Sequence, residues 1–211
     1  EAPFRLTFGE GTIRLASDLC PLQSGRHGTT LREAALHAGQ AFFPPSGKTP
    51  DPMLFTHPQF NTWIELTYDQ NQRDVLAYAR AILAHGFPPA VLMIDEGWAE
   101  GYGVWDFHRG RFPDPKAMMD ELHRMGFKVM LWVCPYIRPD GKEFTELLHD
   151  ETKVVWLRSA KDPRAPAIVR WWDGFSAVTD HTSPDGRAWF KAQLDRLVAG
   201  YGVDGFKLDG A

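Results

Sequence analysis

The stretch His85-Gly86-Phe87-Pro88-Pro89-Ala90-Val91-Leu92-Met93-Ile94-Asp95-Glu96-Gly97-Trp98 decides the fold class. Gly86 is a helix stop. Residues 90–94 are an apolar run without alternation, the pattern of a strand buried on both faces and therefore of a parallel sheet. An acidic pair closes the run. The same sequence of helix stop, aromatic and apolar strand returns at Met125-Gly126-Phe127 before Val129 and at Gly200-Tyr201-Gly202 before Val203. Repeated strand–helix units fit a doubly wound sheet or a (β/α)8 barrel.

The helices between these strands are marked at both ends. Residues 69–85 place Val75, Leu76, Ala79, Ile82 and Leu83 on one face. Asp114 caps a helix that opens on Pro115, carries Met118, Met119, Leu122 and Met125, and stops at Gly126. Ser183 and Pro184 repeat that opening before Trp189, Phe190, Leu194, Leu197 and Val198. Strands are predicted over residues 60–66, 90–94, 128–134 and 203–208. Residues 137–182 are less regular, with a short helix predicted over 142–148.

The N-terminal part follows another pattern. Phe4, Leu6 and Phe8 alternate with Arg5 and Thr7, Gly9-Glu10-Gly11 turns, and Ile13 and Leu15 alternate with Thr12 and Arg14. This is a β-hairpin signal, and a lone hairpin is marginal in water. Residues 1–42 therefore read as the remnant of a β-sandwich domain. Pro44, Pro45, Pro50, Pro52 and Pro58 make residues 43–58 a proline-rich linker, and residues 59–211 read as the first half of a barrel. About 250 residues are usual for a whole (β/α)8 barrel. Together with Glu at position 1 and Ala at position 211, this makes the chain read as a piece of a longer protein.

Composition excludes several function classes. Lys plus Arg number 23 against 27 Asp plus Glu, a net charge of −4, so the basic excess of a nucleic-acid surface is missing. No apolar run approaches the roughly 18 residues of a membrane span. Cys20 and Cys134 have neither a disulfide-framework nor a zinc spacing. Aromatic residues reach 13%, with 8 Trp, and such side chains build cores or line pockets for ligands with apolar faces.

Chemistry in parallel α/β folds sits at the carboxyl ends of the strands. Those ends carry Asp95, Glu96 and Trp98; Trp132 and Tyr136; and Lys207 and Asp209. Gly200-x-Gly202-x-x-Gly205 matches a dinucleotide fingerprint literally, but it follows a helix and precedes a strand, the reverse of the required order. No phosphate-binding loop, His-Glu-x-x-His or Gly-x-Ser-x-Gly is present. His108 and His181 lack a metal-ligand spacing and read as loop histidines. Asp95, Glu96 and Asp209 could ligate magnesium, but an aromatic rim suits a sugar better, and no cofactor or metal is expected.

Phe60-Asn61-Thr62-Trp63-Ile64-Glu65, Met93-Ile94-Asp95-Glu96-Gly97-Trp98, Trp105-Asp106-Phe107, Arg111-Phe112-Pro113-Asp114-Pro115-Lys116, Leu131-Trp132-Val133-Cys134-Pro135 and Phe206-Lys207-Leu208-Asp209 resemble glycoside hydrolase family 31. Ile168-Val169-Arg170-Trp171-Trp172-Asp173-Gly174 resembles one branch of it, which contains bacterial α-galactosidase-like members and an animal myogenesis-regulating glycosidase. The resemblance runs from about Phe42 to Ala211. It implies a (β/α)8 barrel behind a β-sandwich, and a retaining exo-acting α-glycosidase that needs no metal. It implies Asp209 as catalytic nucleophile, Asp95 as the acid binding sugar hydroxyls in the terminal subsite, and Lys207 and Trp132 lining the same subsite. Trp172 and Glu96 join them at the level of the branch. The implied acid/base is an Asp on a later strand, beyond residue 211, so this chain alone is expected to be inactive; an open half-barrel leaves two sheet edges and much apolar surface uncovered, so it is also expected to be poorly soluble. Glu96 stands where the branch commonly has Asp, Asp173 where it has Asn, His181 where it has an apolar residue, and Gly210 where it has Ala. These departures bear on which sugar is bound more than on the chemistry.

Elementary chemistry agrees with these roles. Retaining hydrolysis needs a nucleophile and an acid/base about 5–5.5 Å apart. Lys207, two residues before Asp209 on one strand, points to the same side and favours the carboxylate form of Asp209. Asp95 can accept from two adjacent hydroxyls, and Trp132 can offer a flat wall to a pyranose. Trp105, Trp156 and Trp189 read as packing residues, and Arg111 as the partner of an acid near the rim. The expected partner is a carbohydrate with a terminal α-linked sugar, of α-galactoside or α-glucoside type. The competing reading is a non-catalytic carbohydrate-binding barrel.

Overall fold

A computed structural model describes residues 5–9, 11–17, 22, 24–150 and 153–210. Phe4, Glu10 and Cys20, used in the sequence reading, lie outside the described residues. The chain divides into two compact units, Glu1–Pro50 and Asp51–Ala211.

The first unit contains strands β1 (Arg5–Gly9) and β2 (Thr12–Ala16), paired antiparallel with Leu6 opposite Leu15 and Phe8 opposite Ile13. The cross-strand apolar pairs match the alternation in the sequence. A helix the sequence reading left out, α1 (Leu31–Phe42), follows. Thr30 and Glu33 form a reciprocal capping box at its start. The second half of the expected β-remnant is therefore helical, because that cap and a run of good helix formers outweigh the nearby strands.

In the second unit a one-turn helix, α2 (Met53–Thr56), forms inside the segment read as a linker, with the Met53 amide donating to Asp51 at 2.9 Å. Then come β3 (Gln59–Asn61), α3 (Trp63–Leu66), α4 (Gln72–Ala84), β4 (Val91–Ile94), β5 (Ala99–Gly101), β6 (Val104–Phe107), α5 (Pro115–Arg124), β7 (Lys128–Val133), β8 (Tyr136–Ile137), α6 (Lys142–His149), β9 (Ile168–Trp171), β10 (Gly174–Val178), α7 (Pro184–Tyr201) and β11 (Gly205–Leu208). Strands β3, β4, β7 and β11 form one parallel sheet in chain order. A doubly wound sheet reverses its strand order at a switch point. The sequential order here is that of a barrel arc, and the fold is α/β with part of a (β/α)8 barrel.

The predicted strand over residues 60–66 is corrected. It ends at Asn61, whose side chain accepts from the Trp63 amide at 2.7 Å and turns the chain into α3. A short apolar run does not distinguish strand from helix, and the Asn side chain supplies the turn. The helix ends follow their caps: Asn71 accepts from the Asp74 amide, Asp114 from Ala117 and Ser183 from Asp185. Val75, Ala79 and Ile82 of α4, Met118, Met119 and Leu122 of α5, and Phe190 and Leu197 of α7 cover the sheet from one side, burying Leu92, Ile94, Val129 and Leu131 with them. Two insertions stand outside the strand–helix repeat. One is the β5–β6 hairpin. The other is the antiparallel sheet β8-β10-β9, built from the segment read as irregular. Among the described residues no helix is long and apolar enough to cross a membrane.

Candidate active site

The carboxyl ends of β3, β4 and β11 converge on a cleft lined by Asn61, Asp95, Glu96, Trp132, Lys207 and Asp209, with Trp172 from the β9–β10 turn. All six residues singled out from sequence line this one cleft.

Lys207 links its two carboxylates. Its ammonium lies 3.0 Å from Asp95 Oδ2 and 3.3 Å from Asp209 Oδ2. Asp95 is almost completely buried. Its Oδ2 also accepts from Asn61 Nδ2 at 2.6 Å, and its Oδ1 accepts from the Glu96 amide at 2.8 Å. Its own amide donates to Thr62 Oγ1, whose hydroxyl donates to Gln70. This chain of buried bonds fixes the turn after β4. Asp209 accepts from Trp132 Nε1 at 3.0 Å and from the Gly210 amide at 2.8 Å, besides Lys207. Burial opposes its charge. The indole N–H, the Gly210 amide and the lysine together outweigh that penalty and hold its carboxyl below the usual range. Burial likewise opposes the charge on Lys207, but Asp95 and Asp209 hold its ammonium above its ordinary value. The cation between the carboxylates is thus the lysine itself, and among the described residues no group of three or more His, Cys, Asp or Glu side chains is placed to hold a metal ion.

Trp132 differs from the sequence expectation in how it contributes. It is 2% exposed, packed against Tyr102 and Trp105, so its face is not a wall for a sugar; its N–H is what reaches the cleft. Trp98 is fully buried and donates to the Trp132 carbonyl at 2.7 Å, which makes it a core residue. Exposed aromatic surface in the cleft comes from Tyr68 and from Trp172, 56% accessible, whose Nε1 donates to Glu96 Oε1 at 3.1 Å. Arg111 also departs from expectation. Its guanidinium donates to the backbone carbonyls of Tyr68, in the loop between α3 and α4, and Ala99, at the start of β5, rather than to an acid. His108 accepts from loop amides, and His181 contacts Thr179 and the Phe190 ring.

Sequence reasoning did not single out Asn61, Thr62 or Tyr102. Asn61 carried a readable signal, an amide side chain at the end of the first strand. Tyr102 carried only a Gly-Tyr-Gly turn, and its hydroxyl donates to Glu96 Oε1.

Residues 52–211 match the glycosyl hydrolases family 31 TIM-barrel domain. The chain is 35% identical over 170 residues to the myogenesis-regulating glycosidase of Mus musculus, covering 80% of this chain and 23% of that protein. It is 27% identical over 164 residues to alpha-xylosidase XylQ of Lactiplantibacillus pentosus, covering 71% of this chain and 19% of that one. Among solved structures, the cycloalternan-degrading enzyme from Trueperella pyogenes superposes with a TM-score of 0.66 at 25% identity, covering 83% of this chain and 27% of that chain. The chain thus spans less than a quarter of the length of either curated relative. The barrel arc, its strand-end carboxylates and this match over most of the sequence make the chain a member of glycoside hydrolase family 31.

Proposed function

We propose that the full-length protein is a retaining exo-α-glycosidase and that this chain supplies its nucleophile and most of its terminal sugar subsite. The observation that carries the reading is the Lys207 ammonium held between Asp95 and Asp209. A nucleophile must stay ionised while facing an open cleft, and the donors around Asp209 serve that end.

In the proposed reaction an Asp209 carboxylate oxygen attacks the anomeric carbon. The bond from that carbon to the leaving oxygen breaks, and its electron pair goes to that oxygen, which takes a proton from the acid/base. The family resemblance assigns the acid/base to an Asp on a later strand. Water, deprotonated by the same residue, then releases the sugar from Asp209. Asp95, positioned by Asn61, Lys207 and the Glu96 amide, accepts hydrogen bonds from sugar hydroxyls. Lys207 spends two of its three donors on carboxylates and keeps one for a sugar oxygen. Trp172 offers its exposed ring at the rim. Curated relatives of the chain include an alpha-xylosidase and an alpha-glucosidase, so α-xylosides and α-glucosides stand beside α-galactosides as substrates.

The test is turnover of aryl α-glucoside, α-xyloside and α-galactoside by the full-length protein and its Asp209→Asn variant. Loss of all turnover in the variant is expected. Retention near the wild-type rate overturns the assignment, and sugar binding without turnover in the wild type points to a binding barrel.

A further inference from the structure

Two segments that are not barrel strands converge on one oxygen atom. Tyr102, at the tip of the β5–β6 hairpin, donates its hydroxyl to Glu96 Oε1, and Trp172, in the β9–β10 turn, donates its indole N–H to the same atom. A carboxylate oxygen has room for about two such donors, so Oε1 is filled. Oε2 makes no hydrogen bond among the described residues, and Glu96 lines the cleft beside Asp95. We propose that Tyr102 is a positioning residue for sugar specificity: by fixing Oε1 it presents Oε2 as the acceptor for a substrate hydroxyl. This inference rests on the terminal-subsite reading above.

The hairpin is built to hold that hydroxyl in place. Gly103 has φ +87, and a Cβ there would lie 2.8 Å from Ile137 Cγ2, so the turn is pressed against β8 as only glycine allows. The Arg138 amide donates to the Tyr102 carbonyl at 3.1 Å. The Tyr102 ring stands edge-on to Trp132 and Trp171, with centroids 6.0 and 4.8 Å away. Burial, then the bond to Glu96, push its phenol far above the ordinary tyrosine range. Tyr102 therefore remains an O–H donor wherever the protein is folded and working.

Barrel strands thus carry Asp95, Lys207 and Asp209, while the two insertions set the geometry of Glu96. The consequence is that sugar preference can change by alteration of the insertions without a change in the barrel strands.

The test is a double-mutant cycle in the full-length protein with Tyr102→Phe, Glu96→Gln and both. It is read in KM and kcat for the three aryl α-glycosides and, independently of turnover, in calorimetric affinity for glucose, xylose and galactose. Tyr102→Phe keeps the ring packing and removes one hydrogen bond to a carboxylate. It is expected to raise KM and weaken sugar affinity about tenfold with kcat changed less than about threefold. In the Glu96→Gln background the same change is expected to add less than about twofold. Equal effects in both backgrounds, a fall in kcat alone, or no affinity for any of the sugars in the wild type would overturn the proposal. The two readings separate cleanly. Full turnover by Asp209→Asn sinks the glycosidase assignment and leaves the cycle readable in sugar affinity. An additive cycle beside an inactive Asp209→Asn sinks only the role of Tyr102.

Discussion

The two ends of the barrel arc each hold an aspartate with three donors, yet the two are used differently. At the carboxyl end Asp209 takes hydrogen bonds from Trp132, Gly210 and Lys207, and its side chain is 40% exposed to the cleft. At the amino end Asp204 takes them from the Val129 amide at 2.8 Å and the Lys128 ammonium at 2.9 Å, with His123 Nε2 at 2.8 Å, and its side chain is 20% exposed. In both, burial raises the carboxyl pKa and the donors more than reverse it. Donor count therefore does not mark a reactive carboxylate. What separates the two is their company. Asp209 shares its lysine with a second carboxylate and faces an open cleft with Glu96 and Trp172. Asp204 ties the end of α5 and the start of β7 to the turn before β11. On the proposed function one end serves the reaction and the other holds the fold, the usual division in this architecture.

The largest effect is expected at the reactive end. Asp209→Asn should lower aryl α-glycoside turnover by on the order of 10⁴-fold or more, as loss of a covalent nucleophile does, while thermal stability changes little. Lys207→Met should cost about 10²-fold in kcat/KM, the scale of one electrostatic stabiliser removed. It carries a sign as well. Lys207 is one of the groups holding the Asp209 pKa down, so its removal raises that pKa. The acid limb of the kcat/KM profile must then move to higher pH. A limb that stays in place would show that Asp209 does not govern it.

At the other end the expected loss is of stability. Asp204→Asn should destabilise by about 2 kcal/mol at neutral pH, measured by denaturant unfolding, with turnover kept within about twofold. A carboxyl whose folded pKa is depressed contributes stability above its unfolded value, near ~3.9, and loses it as pH falls through the folded value. The difference between wild type and variant should therefore shrink in acid. Loss of turnover without loss of stability would erase the division between the two ends. The smallest effect is at Ser183, whose side chain caps α7. The same hydroxyl donates to the Val154 carbonyl at 2.7 Å; Ser183→Ala should cost about 1 kcal/mol, and it sharpens the comparison by giving the scale of uncharged hydrogen bonds in the same assay.

Much of the reactive end was readable from the sequence, because barrel strands are local and end in their own chemistry. Residues 90–94, 128–134 and 203–208 contain β4, β7 and β11; Asp95, Glu96 and Asp209 follow such runs and Trp132 and Lys207 lie near their ends, whereas Trp172 lies in the β9–β10 turn. The first strand was overextended, because Trp63, Ile64 and Leu66 prolong an apolar run that the Asn61 side chain turns into a helix. The insertions were hidden for a different reason. Strands β8, β9 and β10 are two to five residues long; β9 and β10 form a tight hairpin, but β8 joins it only across about forty residues, with Ala177 opposite Ile137. No local period announces such pairing. Tyr102 was hidden with them, since its importance lies in a contact with Glu96 that only the folded hairpin makes. Helix α1 was missed because the hairpin before it set the expectation for the whole N-terminal stretch, although Thr30-x-x-Glu33 is a legible capping box.

The central claim, that Asp209 is the nucleophile, is tested most directly by trapping the glycosyl-enzyme. The full-length protein is incubated with a 5-fluoro-α-glycosyl fluoride matched to its best sugar, and the peptides are mapped by mass spectrometry. One added glycosyl group on the peptide containing Asp209 is expected. A glycosyl group on any other residue, or full turnover with no labelled peptide, would contradict it.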